Sequence, residues 1–137
     1  MSPRCIARTL AVAAGLAGFP GAAAPDEWPT LRQGMWEFRR TVGGKAMAPV
    51  TGCTQPADDM RRQNEVLQKA GCKLSPPKRK GNAYTVQAEC SGAVKGRQTS
   101  VITVQSDGEY RVEVRGDVGG APTEESLVAR RIGDCAR

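Results

Sequence analysis

Few side chains in this sequence are equipped for chemistry. Cysteines stand at positions 5, 53, 72, 90 and 135, and the chain has no histidine. Without an imidazole, neither a Ser-His-Asp nor a Cys-His nucleophile can be assembled, and the commonest general acid–base is missing. No two cysteines lie close enough for a Cys-x-x-Cys redox pair or for the paired ligands of a structural zinc site. A metal or a resident cofactor is therefore not expected, and neither a phosphate-binding loop nor a dinucleotide fingerprint occurs. Catalysis would have to rest on carboxylates, with Glu37, Glu89, Glu113 and Asp134 as the candidates. Their spacing selects no pair among them. Asp58 and Asp59 are adjacent, but neighbouring residues of a helix point apart, and in a first helical turn they complement the helix dipole. No catalytic residue is assigned.

Basic residues offer a second chemistry, the binding of phosphate. Lys78-Arg79-Lys80 is the densest run, with Arg39-Arg40 and Arg130-Arg131 elsewhere, and the whole chain carries a formal charge of +6. A reader of single-stranded nucleic acid would add aromatic platforms for the bases. This chain has two Trp, two Tyr and two Phe. Nucleic acid is not an expected partner, and the runs read as solvated turns and faces. Arg115-Gly116-Asp117 spells an adhesion tripeptide, but Gly-Asp after a strand is ordinary turn chemistry.

The start of the chain sets the compartment. Arg4 and Arg8 are followed by an uncharged stretch from Thr9 to Phe19, a Pro20-Gly21 break and Ala22-Ala23-Ala24. A basic start, an apolar middle and a small-residue end are the parts of a secretory signal peptide. Residues 1–23 are read as the signal, with cleavage after Ala23 or Ala24, and residues 24–137 as a single disulfide-bonded, β-rich domain. Cys5 is lost with the signal, which leaves Cys53, Cys72, Cys90 and Cys135. Four cysteines in an exported chain imply two disulfides and allow three pairings. No later stretch is apolar and long enough to span a membrane. The expected location is periplasmic or secreted.

The elements that position these residues are mostly strands. Trp36, Phe38, Arg40 and Val42 alternate with Met35, Glu37, Arg39 and Thr41, the period of a half-buried strand. Trp36 and Phe38 read as core, and Gly43-Gly44 ends the strand. Asp26 to Gln33 reads as a polar lead-in. Pro56 to Ala70 is the one good helix, capped by Thr54 or Gln55 and closed by Gly71. Its stripe of Met60, Val66, Leu67 and Ala70 should lie on a sheet. Cys72–Lys80 and Ala83–Cys90 flank Gly81-Asn82 as a hairpin whose first arm is interrupted at Pro76-Pro77. Gln98–Ser106 and Glu109–Arg115 flank Asp107-Gly108 as another, and Ser126–Ile132 is the last strand. The fold class is mainly β (α+β): a curled antiparallel sheet or small barrel with one inserted helix and two disulfides.

The first hairpin bears on the cysteines. Cys72 and Cys90 each lie nine residues from Gly81, so a turn centred there places them face to face, as a disulfide requires. A strict two-residue Gly81-Asn82 turn misses by one residue and turns the two side chains to opposite faces. A bulge at Pro76-Pro77 would restore the match. The proposed pairs are Cys72–Cys90 and, by remainder, Cys53–Cys135.

Several of these segments also resemble a bacterial exported family known as domain of unknown function 3617. Leu31-Arg32-Gln33-Gly34-Met35-Trp36-Glu37-Phe38 is similar to its L-R-P-G-x-W-E opening, with Gln33 in place of Pro. Cys53-Thr54-Gln55-Pro56-Ala57-Asp58 resembles its cysteine before a short helix. Gly71-Cys72, then Gly81-Asn82 and a strand ending at Cys90, continue the likeness. Arg130-Arg131-Ile132-Gly133-Asp134-Cys135 resembles its closing R-x-G-D-C. The resemblance implies a Gram-negative envelope protein with paired cysteines and brings no established activity. Ligand-binding residues are not assigned. The residues favour a non-enzymatic periplasmic binding or interaction protein, whose partner would be an apolar small molecule or an envelope protein. The alternative is a carboxylate-dependent hydrolase of the cell envelope.

Overall fold

Strand alternation dominates the computed structural model, which describes residues 27–136. The expected export signal, residues 1–23, lies outside the described residues. The first strand, β1 (Gly34–Val42), buries Trp36 completely and half-buries Phe38, while Arg39 and Arg40 are exposed. Its turn is made by Gly43 and Gly44 at φ 55° and 79°, the left-handed region that glycine enters without a Cβ penalty. The chain then returns along the same edge of β1 as β2 (Lys45–Ala46) and β3 (Val50–Thr54). These two strands were not expected from the sequence. Their residues, Lys-Ala and Val-Thr-Gly-Cys-Thr, show no apolar alternation, and it is pairing with β1 that makes them strands.

The helix α1 (Pro56–Lys69) follows at once. Gln55 is its cap: the Gln55 side-chain oxygen accepts from the Ala57 N–H at 3.2 Å, and its side-chain nitrogen donates to the Leu31 carbonyl at 2.8 Å. One side chain thus closes the helix start and ties it to the lead-in. That lead-in is not merely polar, because Leu31 is 4% exposed and Trp28 packs against the same core. At the far end Gly71, at φ 92°, turns the chain away. A Cβ there would lie 2.7 Å from the Gly92 Cα, so the close approach also demands glycine.

Six more elements complete the edge and the hairpins. The interrupted arm is β4 (Cys72–Leu74) and β5 (Lys78–Lys80), both paired with β6 (Ala83–Ser91). Lys80 faces Ala83 across a two-residue turn, whereas Cys72 faces Cys90 and Lys73 faces Glu89. The register therefore changes by one residue across Ser75-Pro76-Pro77. Prolines that cannot donate to a ladder sit where the extra residue is absorbed. Two long strands, β7 (Lys95–Ser106) and β8 (Glu109–Gly116), turn at Asp107-Gly108, and β9 (Thr123–Gly133) runs between β8 and β1.

The result is one antiparallel sheet in the order β2-β1-β9-β8-β7-β6-β4, with β3 also on β1 and β5 also on β6. The sheet does not close into a barrel: β2 and β3 form one margin, β4 and β5 the other. Leu31, Trp36, Met60, Tyr84, Ile102, Tyr110 and Ala129 make the main core on the helix side. A smaller cluster surrounds Cys72, Ala88 and Cys90.

Candidate binding groove

The helix side of the sheet carries more apolar surface than one helix can hide. Five neighbouring strands, β1 and β6 to β9, span about 19 Å at ~4.8 Å per strand, against a helix about 10 Å across. Moreover, α1 docks through few residues: Met60 joins the main core, and Leu67 packs on the cluster of Cys72, Ala88 and Cys90. Pro56, Ala57 and Met60 are buried, but Val66 is 65% exposed and Leu67 only half-buried. Of the stripe expected to lie along the sheet, Met60 and Leu67 meet it at two separate clusters, while Val66 is left exposed at the cleft. Between α1, the β2–β3 limb and the sheet lies a cleft of about 1120 Å³. Small-molecule sites commonly measure ~300–1,000 Å³.

Strand register lays out the floor in rows. Nearest Met60, Tyr84, Ile102, Val112 and Leu127 run across β6 to β9 and end at Arg40 on β1. The next row is Val86, Ser100, Val114 and Glu125, and beyond it come Ala88, Gln98, Gly116 and Thr123. Polarity thus rises with distance from Met60. The mouth is apolar again: Met47, Val50 and Val66, three of the five most exposed large hydrophobic residues among those described, all line the cleft. Single exposed apolar residues are unremarkable, but a concentration around a concavity marks a contact surface.

The charged groups of the cleft are paired. The Arg40 guanidinium donates to the Glu125 carboxylate at 2.8 Å, and Asp59 accepts from both the Thr54 hydroxyl and Arg62. At the base, the Tyr110 ring meets that of Trp36 at 5.5 Å in a tilted arrangement. Burial, with the charge of Asp59 nearby, raises the Tyr110 phenol well above its ordinary value. A neutral phenol at the foot of an apolar cleft suits binding rather than proton transfer.

The candidate carboxylates are elsewhere. Glu37, Glu89 and Glu113 alternate with the cleft residues of their strands and so face the other side of the sheet, while Asp134 follows β9. From strand spacing and register, Glu37, Glu89 and Glu113 stand on the order of 15 Å or more apart. A hydrolytic carboxylate pair needs about 5–10 Å. Three of the four are engaged by arginine: Glu37 by Arg39, Glu89 by Arg97 and Asp134 by Arg131. Arg131 holds Asp134 below the usual carboxylate range through its hydrogen bond and charge. Among the described residues, no group of three or more Cys, Asp or Glu is placed to hold a metal ion.

The basic and adhesion-like motifs have structural places as well. Lys78-Arg79-Lys80 is the edge strand β5, which ends at the Gly81-Asn82 turn, and Arg79 lies over the Tyr84 ring at 5.5 Å. Lysines on an edge discourage pairing with another sheet. Arg130 meets Glu109, and Arg115 meets Glu124. Asp117 is held by the Arg97 backbone, its carboxylate accepting from the Arg97 N–H at 2.8 Å. Cys53 is bonded to Cys135 and Cys72 to Cys90, with Cα separations of 5.4 and 3.9 Å. The second bridge is buried in the sheet, whereas Cys53 is exposed.

The segments that opened and closed the sequence resemblance meet in space. The Arg131 guanidinium donates to the Gln33 carbonyl at 3.0 Å and grips Asp134. Gly34 lies beneath that side chain, where a Cβ would come within 2.6 Å of the Gly133 carbonyl. Met35 is opposite both Cys53 and Gly133, so the Cys53–Cys135 bridge completes a clasp joining β1, β3 and the end of β9. These motifs fasten β1, β3 and the end of β9 to one another, and of their residues Phe38 reaches the cleft. Sequence reasoning missed the cleft residues because each strand alone reads as ordinary core; the available signal was an apolar face too wide for one helix. Among the described residues no helix is long and apolar enough to cross a membrane. No curated protein and no solved structure is detectably similar to the chain. Residues 31–135 match the model of a family described as protein of unknown function (DUF3617), and the chain belongs to that family.

Proposed function

We propose that this domain is a non-enzymatic binding protein of the periplasm or the extracellular space that holds an apolar small molecule in the groove under α1. One observation carries the reading: an apolar concavity of about 1120 Å³ that the single helix leaves uncovered. The signal-like residues 1–23 and the two disulfides support an exported location. The dispersion of Glu37, Glu89 and Glu113 leaves the hydrolase alternative without a gathered site.

A thermal-shift screen of apolar and amphipathic compounds tests the proposal. A ligand at one hundred times its Kd should stabilise the protein by about 2.7 kcal/mol. Leu127→Glu, which puts a carboxylate on the apolar floor, should abolish the shift. A library without a single Leu127-dependent stabiliser, or a reproducible turnover by the purified protein, would overturn the reading.

A further inference from the structure

The groove's charge and polarity narrow the class of ligand. Four charged side chains line it, Arg40, Arg62, Asp59 and Glu125, and their formal charges cancel in two pairs, although the chain as a whole carries +6. The surplus cations are outside it, with Lys78 and Lys80 exposed on β5. A free acid entering the groove finds its arginines already occupied, and a free amine finds the same of the carboxylates. A lone charge would have to break a pair or remain uncompensated beside an apolar floor, and both are unfavourable.

The floor also has a direction. Next to Met60 it is aliphatic, with Ile102, Val112 and Leu127. Two rows further on it presents Gln98 and Thr123, with Ser100 and the Arg40–Glu125 pair between. These groups donate and accept hydrogen bonds without adding net charge. We infer, on the footing of the proposed groove, that its ligand is a neutral or zwitterionic amphiphile. Its aliphatic body lies against Val112 and Leu127 beneath α1, and its polar end rests on Gln98, Ser100, Thr123 and the Arg40–Glu125 pair.

The test compares four probes of equal chain length, each below its micellar concentration. They are a monoacylglycerol, a lysophosphatidylcholine, a fatty acid and an alkyltrimethylammonium. Binding is read by calorimetry and by the emission of Trp28, which lines the groove. The two uncharged or zwitterionic probes should bind at least ten-fold more tightly than the other two. Breaking the pair should switch the preference. Glu125→Gln frees Arg40 and should raise fatty-acid affinity ten-fold or more, and Arg40→Gln should do the same for the ammonium probe. The Arg40 side chain is 54% exposed, so neither change removes core packing. If all four probes bind alike and both variants leave the order unchanged, the head-group assignment is wrong while the apolar groove stands. If no probe binds, the groove reading itself fails.

Discussion

Trp36 and Tyr110 show how one pair of side chains sets both the core and the foot of the groove. Trp36 is fully buried, and its indole N–H donates to the Arg32 carbonyl at 3.0 Å, so its single polar atom is satisfied inside the core. Tyr110 is 3% exposed and its phenol is shifted upward, chiefly by burial. A phenol whose folded-state value is raised contributes stability that is complete below the unfolded value of 10.0 and is lost as pH rises beyond it. Urea midpoints should therefore fall on the alkaline side of that value, and Tyr110→Phe should flatten the fall. An unchanged slope in the variant would show that Tyr110 is not the group responsible. At this scale much was legible: the alternation around Trp36 and Phe38 announced the core of β1 from the sequence. Leu31 and Trp28 were not announced, because two apolar residues in a polar lead-in have no periodicity. Ties from beyond the segment hold it against the sheet, among them Gln55 to the Leu31 carbonyl and the Arg32 N–H to the Asp107 carbonyl.

The elements were legible in proportion to how much of their reason is local. Gly81-Asn82 and Asp107-Gly108 made their hairpins evident, and the caps at Gln55 and Gly71 bounded α1. β3 depends on its pairing with β1, and the exposure of Val66 depends on how the helix is seated on the sheet. Neither can be read from the residues themselves. The two disulfides differ in the same way. Cys72–Cys90 joins neighbouring strands across 18 residues, whereas Cys53–Cys135 spans 82 and holds one sheet margin to the chain end. On a chain-entropy treatment, loops of these lengths correspond to about 3 and about 4.5 kcal/mol. A dilute dithiol should open Cys53–Cys135 first, since Cys53 is exposed while Cys72 and Cys90 are 6% and 5% exposed. Timed alkylation with non-reducing peptide mapping, followed by urea denaturation of the half-reduced protein, measures both quantities. A Cys53–Cys72 peptide, or earlier loss of the buried bridge, would contradict this arrangement.

Across the whole molecule, the two faces of the sheet have different tasks. The face away from α1 sets Arg39, Arg97, Arg111, Arg115 and Arg130 against Glu37, Glu89, Glu109, Glu113 and Glu124 and adds Lys73, Lys78, Lys80 and Lys95, a solvated and net basic surface. The other face is apolar and half covered. Nothing local told the sequence reader that the sheet would stay open, since closure is decided by whether β3 and β4 meet. That openness gives the clasp at Cys53–Cys135 a mechanical meaning. Tension applied between residues 27 and 136 runs from the start of β1 to Cys53, crosses the sulfur bridge and leaves at the chain end. α1, β4 to β8 and nearly all of β9 belong to a closed ring that the load bypasses. Extension of the oxidised protein should stop once residues 27–53 are drawn out, at most about 95 Å of chain. After reduction the whole of residues 27–136 should yield, about 385 Å. Single-molecule pulling distinguishes the two lengths directly, and a full-length release under oxidising conditions would show that the clasp is not closed. In the oxidised chain the strands from β6 to β8 and the helix over them are a sheltered unit, lashed at one point and free of the strain carried by its ends.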